Sequence, residues 1–260
     1  MTVREIIKEL EILAPPGLAM SWDNSGLLAG HPETEVRKVY ISLDATGAAV
    51  DLAAREGCDL ILTHHPLIFS PLKSVTDEDF IGRRILTIIE NHMALYAMHT
   101  NFDCAVMGEI VADKVGQKVQ RPLETVAEED GKMLGIGTIG PLKEKLLLKE
   151  LACRIKEIFD LPQVRFFGDQ DREIEIAAVC PGSGKGMADA ALQAGCDVLI
   201  TGDIDHHEGI DSVEKGLCVI DAGHHGLEHI FVDYMAEWMR AKHPEITVIR
   251  DSNHSPFYAV

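Results

Sequence analysis

The stretch Ile61-Leu62-Thr63-His64-His65-Pro66-Leu67-Ile68-Phe69 places two adjacent histidines at the end of an apolar run and directly before a proline. An apolar run of this length, with Gly57 before it and Pro66 after it, predicts a buried strand. Side chains alternate along a strand, so His64 and His65 are expected to point in different directions. Two diverging imidazoles can serve two metal ions. The alternative is a pair of loop histidines that hydrogen bond to backbone or water.

The sequence around this stretch predicts a βαβ unit. Residues 36–43 have the pattern of a strand, residues 47–56 that of a helix, and residues 58–63 that of the strand that ends at the histidines. Parallel strands and a right-handed crossover follow from this order. Binding sites in such sheets lie beyond the carboxyl ends of the strands. His64 and His65 occupy that position.

The second half of the chain repeats this unit. Residues 39–63 align without a gap to residues 177–201, a constant offset of 138 residues, and Gly57-Cys58-Asp59 recurs as Gly195-Cys196-Asp197. This repeat predicts two related βαβ lobes. Where the first copy has its two histidines, the second has Gly202-Asp203. The divergence favours one site shared between the lobes over two independent sites.

The lobe boundary is predicted in the polar, acidic segment 120–133. We therefore expect an N-terminal α/β lobe over residues 1–122 and a second α/β lobe over residues 123–260, both with mainly parallel sheets. The last helix and strand are predicted to pack either on the second lobe or back on the first.

Composition excludes several classes of protein. The chain has 260 residues and a net charge of −18, which disfavours binding to nucleic-acid phosphates and to anionic membranes. Its six cysteines are scattered singly, so neither a zinc ribbon nor a disulfide framework is indicated. No apolar run approaches the roughly 18 residues of a membrane span. We expect a soluble, cytoplasmic protein.

Histidines and carboxylates gather at the predicted strand ends and on the start of a late helix, where positions 224 and 228 share one face. Nitrogen and oxygen ligands without sulfur suit zinc, iron, manganese or nickel. Five protein ligands on one ion would leave little room for a substrate, whereas two ions bridged by carboxylates about 3.5–4 Å apart keep open positions. The candidate ligands are His64, His65, Asp103, His224 and Glu228.

Six motifs in order resemble the GTP cyclohydrolase 1 type 2 homologue family, also called the NIF-three-like family. They are W-D-N-S-G-L from Trp22, T-H-H-P-L-I-F from Thr63, H-T-N-F-D from His99, G-S-G from Gly182, T-G-D-x-x-H-H from Thr201 and D-A-G-H-x-x-x-E from Asp221. The resemblance covers most of the chain and implies a two-lobed α/β protein with a dinuclear metal centre between the lobes. It also implies a ring-shaped homohexamer, in the short form that lacks the family's inserted domain.

Carried over position by position, the resemblance implies the same five metal ligands, with Asp103 and Glu228 in bridging positions. It implies a metal-dependent hydrolase that holds two divalent ions per chain. The substrate would be a nucleotide-like or purine- or pterin-like small molecule, by analogy with GTP ring opening. His99, His206 and His207 are the candidates for general acid or base. For His99 the alternatives are a weak metal ligand or a residue that supports the ligands, and a structural residue at a strand end. For His206 and His207 the alternative is two surface histidines at a helix start.

Two other functions remain open from the sequence. One is a non-catalytic protein that stores, delivers or senses the metal, and the other is a ring-shaped scaffold that binds partners. The segment Pro181-Gly182-Ser183-Gly184-Lys185-Gly186 resembles a phosphate loop but lacks the earlier glycine and the Ser or Thr after the lysine. It predicts either an anion-binding turn or a glycine-rich turn that reverses the chain. His225 and His229 depart from the family pattern, which more often has an aromatic residue and an arginine there.

Overall fold

A computed structural model describes residues 1–252 and 255–258. The chain divides into two compact units. The first consists of Met1–Phe102 together with the segment that begins at Phe231, and the second runs from Asp103 to Ile230.

The α-helices are α1 (Val3–Leu13), α2 (Gly47–Arg55), α3 (Phe80–Glu90), α4 (Thr100–Phe102), α5 (Gly108–Val115), α6 (Leu148–Ile158), α7 (Ala188–Gln193), α8 (His206–Glu214), α9 (His224–Glu228) and α10 (Ile230–Lys242). A 3₁₀ turn covers Pro16–Leu18 and a π-helical turn covers Asp103–Met107. The strands are β1 (Gly26–Ala29), β2 (Lys38–Ser42), β3 (Leu60–Thr63), β4 (Ala94–Ala97), β5 (Glu124–Glu129), β6 (Lys132–Ile136), β7 (Thr138–Leu147), β8 (Arg165–Phe167), β9 (Glu173–Ser183), β10 (Val198–Gly202), β11 (Cys218–Asp221) and β12 (Thr247–Arg250).

The sheet of the first unit has the strand order β1-β4-β3-β2-β12. Only β1 is antiparallel to its neighbour, so this sheet is mainly parallel, as predicted. Tyr40, Ile61 and Leu95 from adjacent strands are buried together against α2 and α3. β12 pairs with β2, with Thr247 opposite Lys38. The last strand therefore belongs to the sheet of the first unit.

The sheet of the second unit has the order β7-β9-β10-β11-β8 and is mixed. β9, β10 and β11 are parallel, but β7 and β8 flank them antiparallel. The prediction of a mainly parallel sheet was wrong here. The apolar runs in the sequence marked the parallel centre, whereas the edge strands carry exposed charged residues such as Lys145 and Arg165.

The acidic segment after residue 120 forms a hairpin, and the units divide elsewhere. Glu124 of β5 lies opposite Ile136 of β6 in this two-stranded sheet. The residues just before it are tied to β7, since Arg121 forms a bridge with Ile139. The division after Phe102, instead of residue 122, follows from this pairing.

The internal repeat is visible in the strand register. Val39 of β2 lies opposite Leu60 of β3, and Ala177 of β9 lies opposite Val198 of β10. Both pairs are related by the 138-residue offset found in the sequence. The repeat therefore records the same βαβ unit twice, as predicted.

The aspartate of each Gly-Cys-Asp motif holds the start of the neighbouring strand. Asp59 Oδ2 accepts hydrogen bonds from the backbone N–H groups of Arg37 at 2.8 Å and Lys38 at 2.9 Å. Asp197 Oδ2 does the same for Glu175 and Ile176, at 3.0 and 2.9 Å. This shared function explains why the motif recurs in both copies.

The helix predicted over residues 47–56 is α2. Thr2 caps α1 and forms a reciprocal capping box with Glu5. The late helix that carries positions 224 and 228 is the short α9, and His229 separates it from α10. Among the described helices, none combines the length and the apolar character needed to span a membrane.

Asp59→Ala is expected to lower the free energy of unfolding by about 1–3 kcal/mol, because two N–H groups lose their acceptor. Urea unfolding measures the change. Asp51→Ala removes an exposed carboxylate from α2 and should stay within about 0.5 kcal/mol of the parent protein. Equal losses in the two variants would contradict the assigned role of Asp59.

Candidate metal centre

His64 and His65 follow directly after β3, at its carboxyl end. His64 is fully buried, and its Nδ1 lies 2.7 Å from the carbonyl oxygen of Met98. His65 Nδ1 lies 2.9 Å from Asp44 Oδ1. A carbonyl or an ionised carboxylate only accepts hydrogen bonds, so each Nδ1 carries the proton. Nε2 is then the nitrogen that each ring offers to a ligand.

His99 joins these two residues from the end of β4. Its Nδ1 lies 2.7 Å from Asp23 Oδ1, so it uses the same pattern. One ring nitrogen from each of His64, His65 and His99 lies within 4.8 Å of the other two. We call these three residues the histidine cluster. It belongs entirely to the first unit and is a group that can hold a metal ion.

Asp23 anchors His99 in this cluster. Its side chain is fully buried, and its second oxygen accepts from the Thr100 hydroxyl at 2.5 Å and from the Thr100 N–H at 3.1 Å. Burial by itself raises the pKa of the Asp23 carboxyl. The hydrogen bonds from His99 and Thr100 outweigh it and lower this pKa from 3.8 to about 2. The carboxylate therefore stays ionised and keeps accepting from His99.

The neighbours of Asp23 in the W-D-N motif also act around His99. The Trp22 ring centroid lies 5.9 Å from that of His99, and the Asn24 side-chain amide donates to the Ile68 carbonyl at 2.6 Å. Sequence reasoning assigned this motif a role only through the family resemblance. The signal that was available is the crowding of Trp, Asp and Asn into one turn.

In the second unit, His224 and Glu228 lie one turn apart on α9, as their spacing predicted. His224 Nε2 is 2.9 Å from Glu228 Oε2, and His224 Nδ1 is 2.8 Å from Asp203 Oδ2. Asp203 has a φ of +57°, the left-handed conformation that Asp tolerates better than most residues. His224 thus repeats the arrangement of the histidine cluster, with an acceptor on Nδ1.

Asp103 lies in the π-helical turn that precedes α5, a rare conformation that is frequent at functional sites. The carboxylate of Asp103 interacts electrostatically with the thiol of Cys180 in β9. Burial, together with the nearby carboxylates of Asp103 and Glu228, raises the pKa of the Cys180 thiol to about 12. Both carboxylates therefore act on the same buried thiol. The second unit brings together Asp103, His224 and Glu228.

Two glycines allow α9 to approach the sheet. A Cβ on Gly182, whose φ is +76°, would lie 2.2 Å from Glu228 Oε1. A Cβ on Gly202 would lie 2.4 Å from the backbone nitrogen of His224. The G-S-G and T-G-D motifs therefore make room for the candidate ligands.

The glycine-rich loop after β9 binds an internal anion. The N–H of Gly186 donates to Glu208 Oε1 at 2.7 Å. The acceptor at this loop is thus a carboxylate of the chain itself. Gly182 has a different role, since its missing side chain leaves the space that Glu228 occupies.

His206 and His207 begin α8 and are exposed, with ring centroids 5.2 Å apart. In the part of the chain that the structure describes, neither joins a group of three ligand-capable side chains. Their role as general acid or base stays a prediction. His225 and His229, which depart from the family pattern, have ring centroids 5.1 Å apart, and His229 is buried.

The model of the family Duf34/NIF3 (NGG1p interacting factor 3) matches residues 1–256. The chain belongs to this family. The family resemblance predicted from the six motifs is confirmed. A relative from Clostridium acetobutylicum named GTP cyclohydrolase 1 type 2 homolog is 34% identical over 231 residues, which cover 88% of this chain and 85% of the relative. A relative of the same name from Streptococcus pneumoniae is 31% identical over 269 residues, which cover 100% of this chain and 100% of the relative.

Solved structures show the same fold. The Bacillus cereus protein related to NIF3 has a TM-score of 0.89 and 25% identity, with 100% of this chain and 99% of that chain covered. Reduced HcgD from Methanocaldococcus jannaschii has a TM-score of 0.82 and 27% identity, with 96% of this chain and 97% of that chain covered. The mixed α/β architecture of this Duf34/NIF3 protein is therefore that of its family.

The low pKa of Asp23 predicts a pH-dependent contribution to stability. Because the folded-state pKa lies near 2, below the usual 3.8, the contribution is complete above about pH 5 and is lost as the pH falls from about 4 to 2. At pH 7 Asp23→Asn is expected to be less stable than the parent by about 2 kcal/mol.

Urea unfolding at pH 7, 5, 4 and 3 measures this difference. The gap between the parent and Asp23→Asn should narrow below pH 4, whereas exposed Asp51→Asn should show no such gap. A difference that stays constant from pH 7 to pH 3 would contradict the role of the Asp23 carboxylate.

Proposed function

We propose that this Duf34/NIF3 protein binds two divalent metal ions and acts as a metal-dependent hydrolase. The proposed ligands are His64, His65, Asp103, His224 and Glu228. The observation that carries this proposal is the acceptor on Nδ1 of each of the three ligand histidines: the Met98 carbonyl, Asp44 and Asp203. Metal-binding histidines in proteins almost always donate their other ring N–H in this way.

The hydrogen bonds on Nδ1 support metal binding in two respects. In His64 and His65 they fix the tautomer, so that Nε2 carries the lone pair, and in all three rings they fix the direction of the ring. An ionised acceptor such as Asp44 or Asp203 also makes the ring a stronger donor to a cation.

The carboxylates of Asp103 and Glu228 would hold the ions together with the three histidines. Two bound divalent ions would act as Lewis acids and would lower the pKa of a bound water from about 15.7 toward roughly 7. His99 would take up or deliver a proton through Nε2, because Asp23 occupies its Nδ1. Asp23 keeps the ring in place during that transfer.

The proposed substrate class is a nucleotide-like or purine- or pterin-like molecule. Its support is the printed name of the relatives, GTP cyclohydrolase 1 type 2 homolog. The second unit adds a cavity of about 610 Å³ whose lining includes Asp103, Arg121 and Lys132. This volume lies in the range of small-molecule sites, which is about 300–1,000 Å³. Lys132 Nζ lies 2.9 Å from Glu109 Oε1, so Arg121 is the basic residue of this lining that would face an anionic group, and Asp103 lies in the same wall.

A second candidate function is metal storage, delivery or sensing without turnover. Partial exposure of His224, at 34% of the side chain, and of His65, at 17%, favours it, because an ion held there can exchange with solvent. A homohexamer remains a prediction from the family resemblance, and so does a cytoplasmic location.

The main test compares untagged wild-type protein with Asp103→Ala and Glu228→Ala. Metal per chain is measured, together with formate release from GTP and hydrolysis of a panel of nucleotides and phosphoesters. We expect two ions per wild-type chain, and loss of at least one ion and of all turnover in both variants. Full metal retention in both variants would overturn the ligand assignment. Two ions without turnover on this panel would favour the storage candidate.

A glycine pair gives a matched second test. In Gly182→Ala the added Cβ would collide with Glu228 Oε1, whereas Gly186 has a similar φ of +83° and nothing within 4 Å of its Cβ position. Both variants carry the same kind of backbone strain. Only Gly182→Ala is expected to lose metal affinity, by roughly 10- to 100-fold, the range seen when the support of a ligand is disturbed. Equal affinity in the two variants would show that the position of Glu228 does not matter for binding.

A further inference from the structure

Two large aromatic side chains lie exposed beside the histidine cluster. Trp22 is 60% exposed and Phe69 is 56% exposed, although aromatic residues usually contribute to cores. Trp22 belongs to the W-D-N motif, and Phe69 ends the stretch that carries His64 and His65. Both therefore come from segments that already serve the candidate centre.

The rings of Trp22 and Phe69 both lie edge-to-face with the ring of His99. The Trp22 ring centroid lies 5.9 Å from that of His99 at an interplanar angle of 75°. The Phe69 ring centroid lies 5.6 Å from it at 74°. The hydrogen bond from the Asn24 side chain to the Ile68 carbonyl, at 2.6 Å, joins the two segments. The aromatic side chains are thus supported by a nearly buried imidazole and by a tie between their loops.

We propose that Trp22 and Phe69 bind a flat heteroaromatic ring by stacking, beside His99. The chemical class of the ligand is a purine or pterin ring. This inference deepens the proposed function, since it names the part of the substrate that the first unit recognises. Aromatic side chains present a π-face on which any such ring can stack, and this stacking does not depend on specific hydrogen bonds.

Exposure alone does not identify an aromatic residue that binds a ligand ring, as Phe80 shows. It is also 56% exposed, but the Arg84 guanidinium lies over its ring at 4.9 Å from the centroid. Its exposed face therefore has a partner from its own helix. Trp22 and Phe69 instead share His99 as their neighbour, which places a ligand ring next to the imidazole that we assign to proton transfer.

The chain offers a direct spectroscopic test, because it contains two tryptophans, Trp22 and Trp238. Trp238→Phe leaves Trp22 as the single reporter. Guanosine is expected to quench the Trp22 fluorescence in a saturable way in the metal-loaded protein. Ribose 5-phosphate, which has no aromatic ring, is expected to leave it unchanged.

Phe69→Leu in this background should weaken guanosine binding by roughly 5- to 100-fold, the range of one lost base-aromatic stack. The matched control is Phe80→Leu, which removes an equally exposed ring and should change the affinity by less than about twofold. If the Trp238→Phe protein does not fold, calorimetric titration of guanosine into the parent, Phe69→Leu and Phe80→Leu makes the same comparison.

Three results would overturn the inference. They are the absence of any guanosine effect on Trp22, equal losses in Phe69→Leu and Phe80→Leu, and a Trp22 emission maximum that shifts with protein dilution. The last would mean that a second copy of the chain covers these rings. Metal content is measured on the same samples, so a failure of ring binding with two ions retained leaves the proposed metal centre standing.

Discussion

The hydrogen bond on Nδ1 of the candidate histidines is the interaction on which the proposed chemistry depends. Four imidazoles at strand ends and on α9 have this nitrogen bonded to an oxygen acceptor, which is a carbonyl for His64 and a carboxylate for His65, His99 and His224. For His64, His65 and His99 the proton on Nδ1 makes Nε2 the unprotonated nitrogen, whereas His224 Nε2 lies 2.9 Å from Glu228 Oε2. One structural rule thus prepares all of these rings for a cation or a proton, although they come from different segments of the chain.

The fold supplies these positions through the repeated βαβ unit. In each copy the strand register is the same, and an aspartate of the Gly-Cys-Asp motif fixes the start of the neighbouring strand. The first copy ends in His64 and His65, whereas the second ends in Gly202 and Asp203, which make room for His224 and hold it. The two copies therefore carry a pair of candidate ligands in one unit and the support of a candidate ligand in the other.

Much of this could be predicted from the sequence, for physical reasons. The parallel strands were visible because they are continuous apolar runs, and His224 and Glu228 because four residues make one helical turn. The β5–β6 hairpin was missed because its exposed strands lack an apolar face. Asp23 and Asp44 were missed because a hydrogen bond to a residue 76 or 21 positions away leaves no local pattern. The need for Gly182 also depends on a distant residue, since Glu228 approaches it only in the folded chain.

A ¹⁵N NMR spectrum of the histidine rings, recorded on metal-free protein and again after addition of Zn²⁺, tests the role of these rings as ligands. We expect His64 and His65 to carry their proton on Nδ1 before addition, because that nitrogen faces an oxygen acceptor in both rings. The Nε2 resonances of His64, His65 and His224 should all shift when two equivalents of Zn²⁺ are bound. A proton on Nε2 of His64 or His65 in the metal-free protein, or Zn²⁺ binding that leaves all three rings unchanged, would contradict the proposed ligand set.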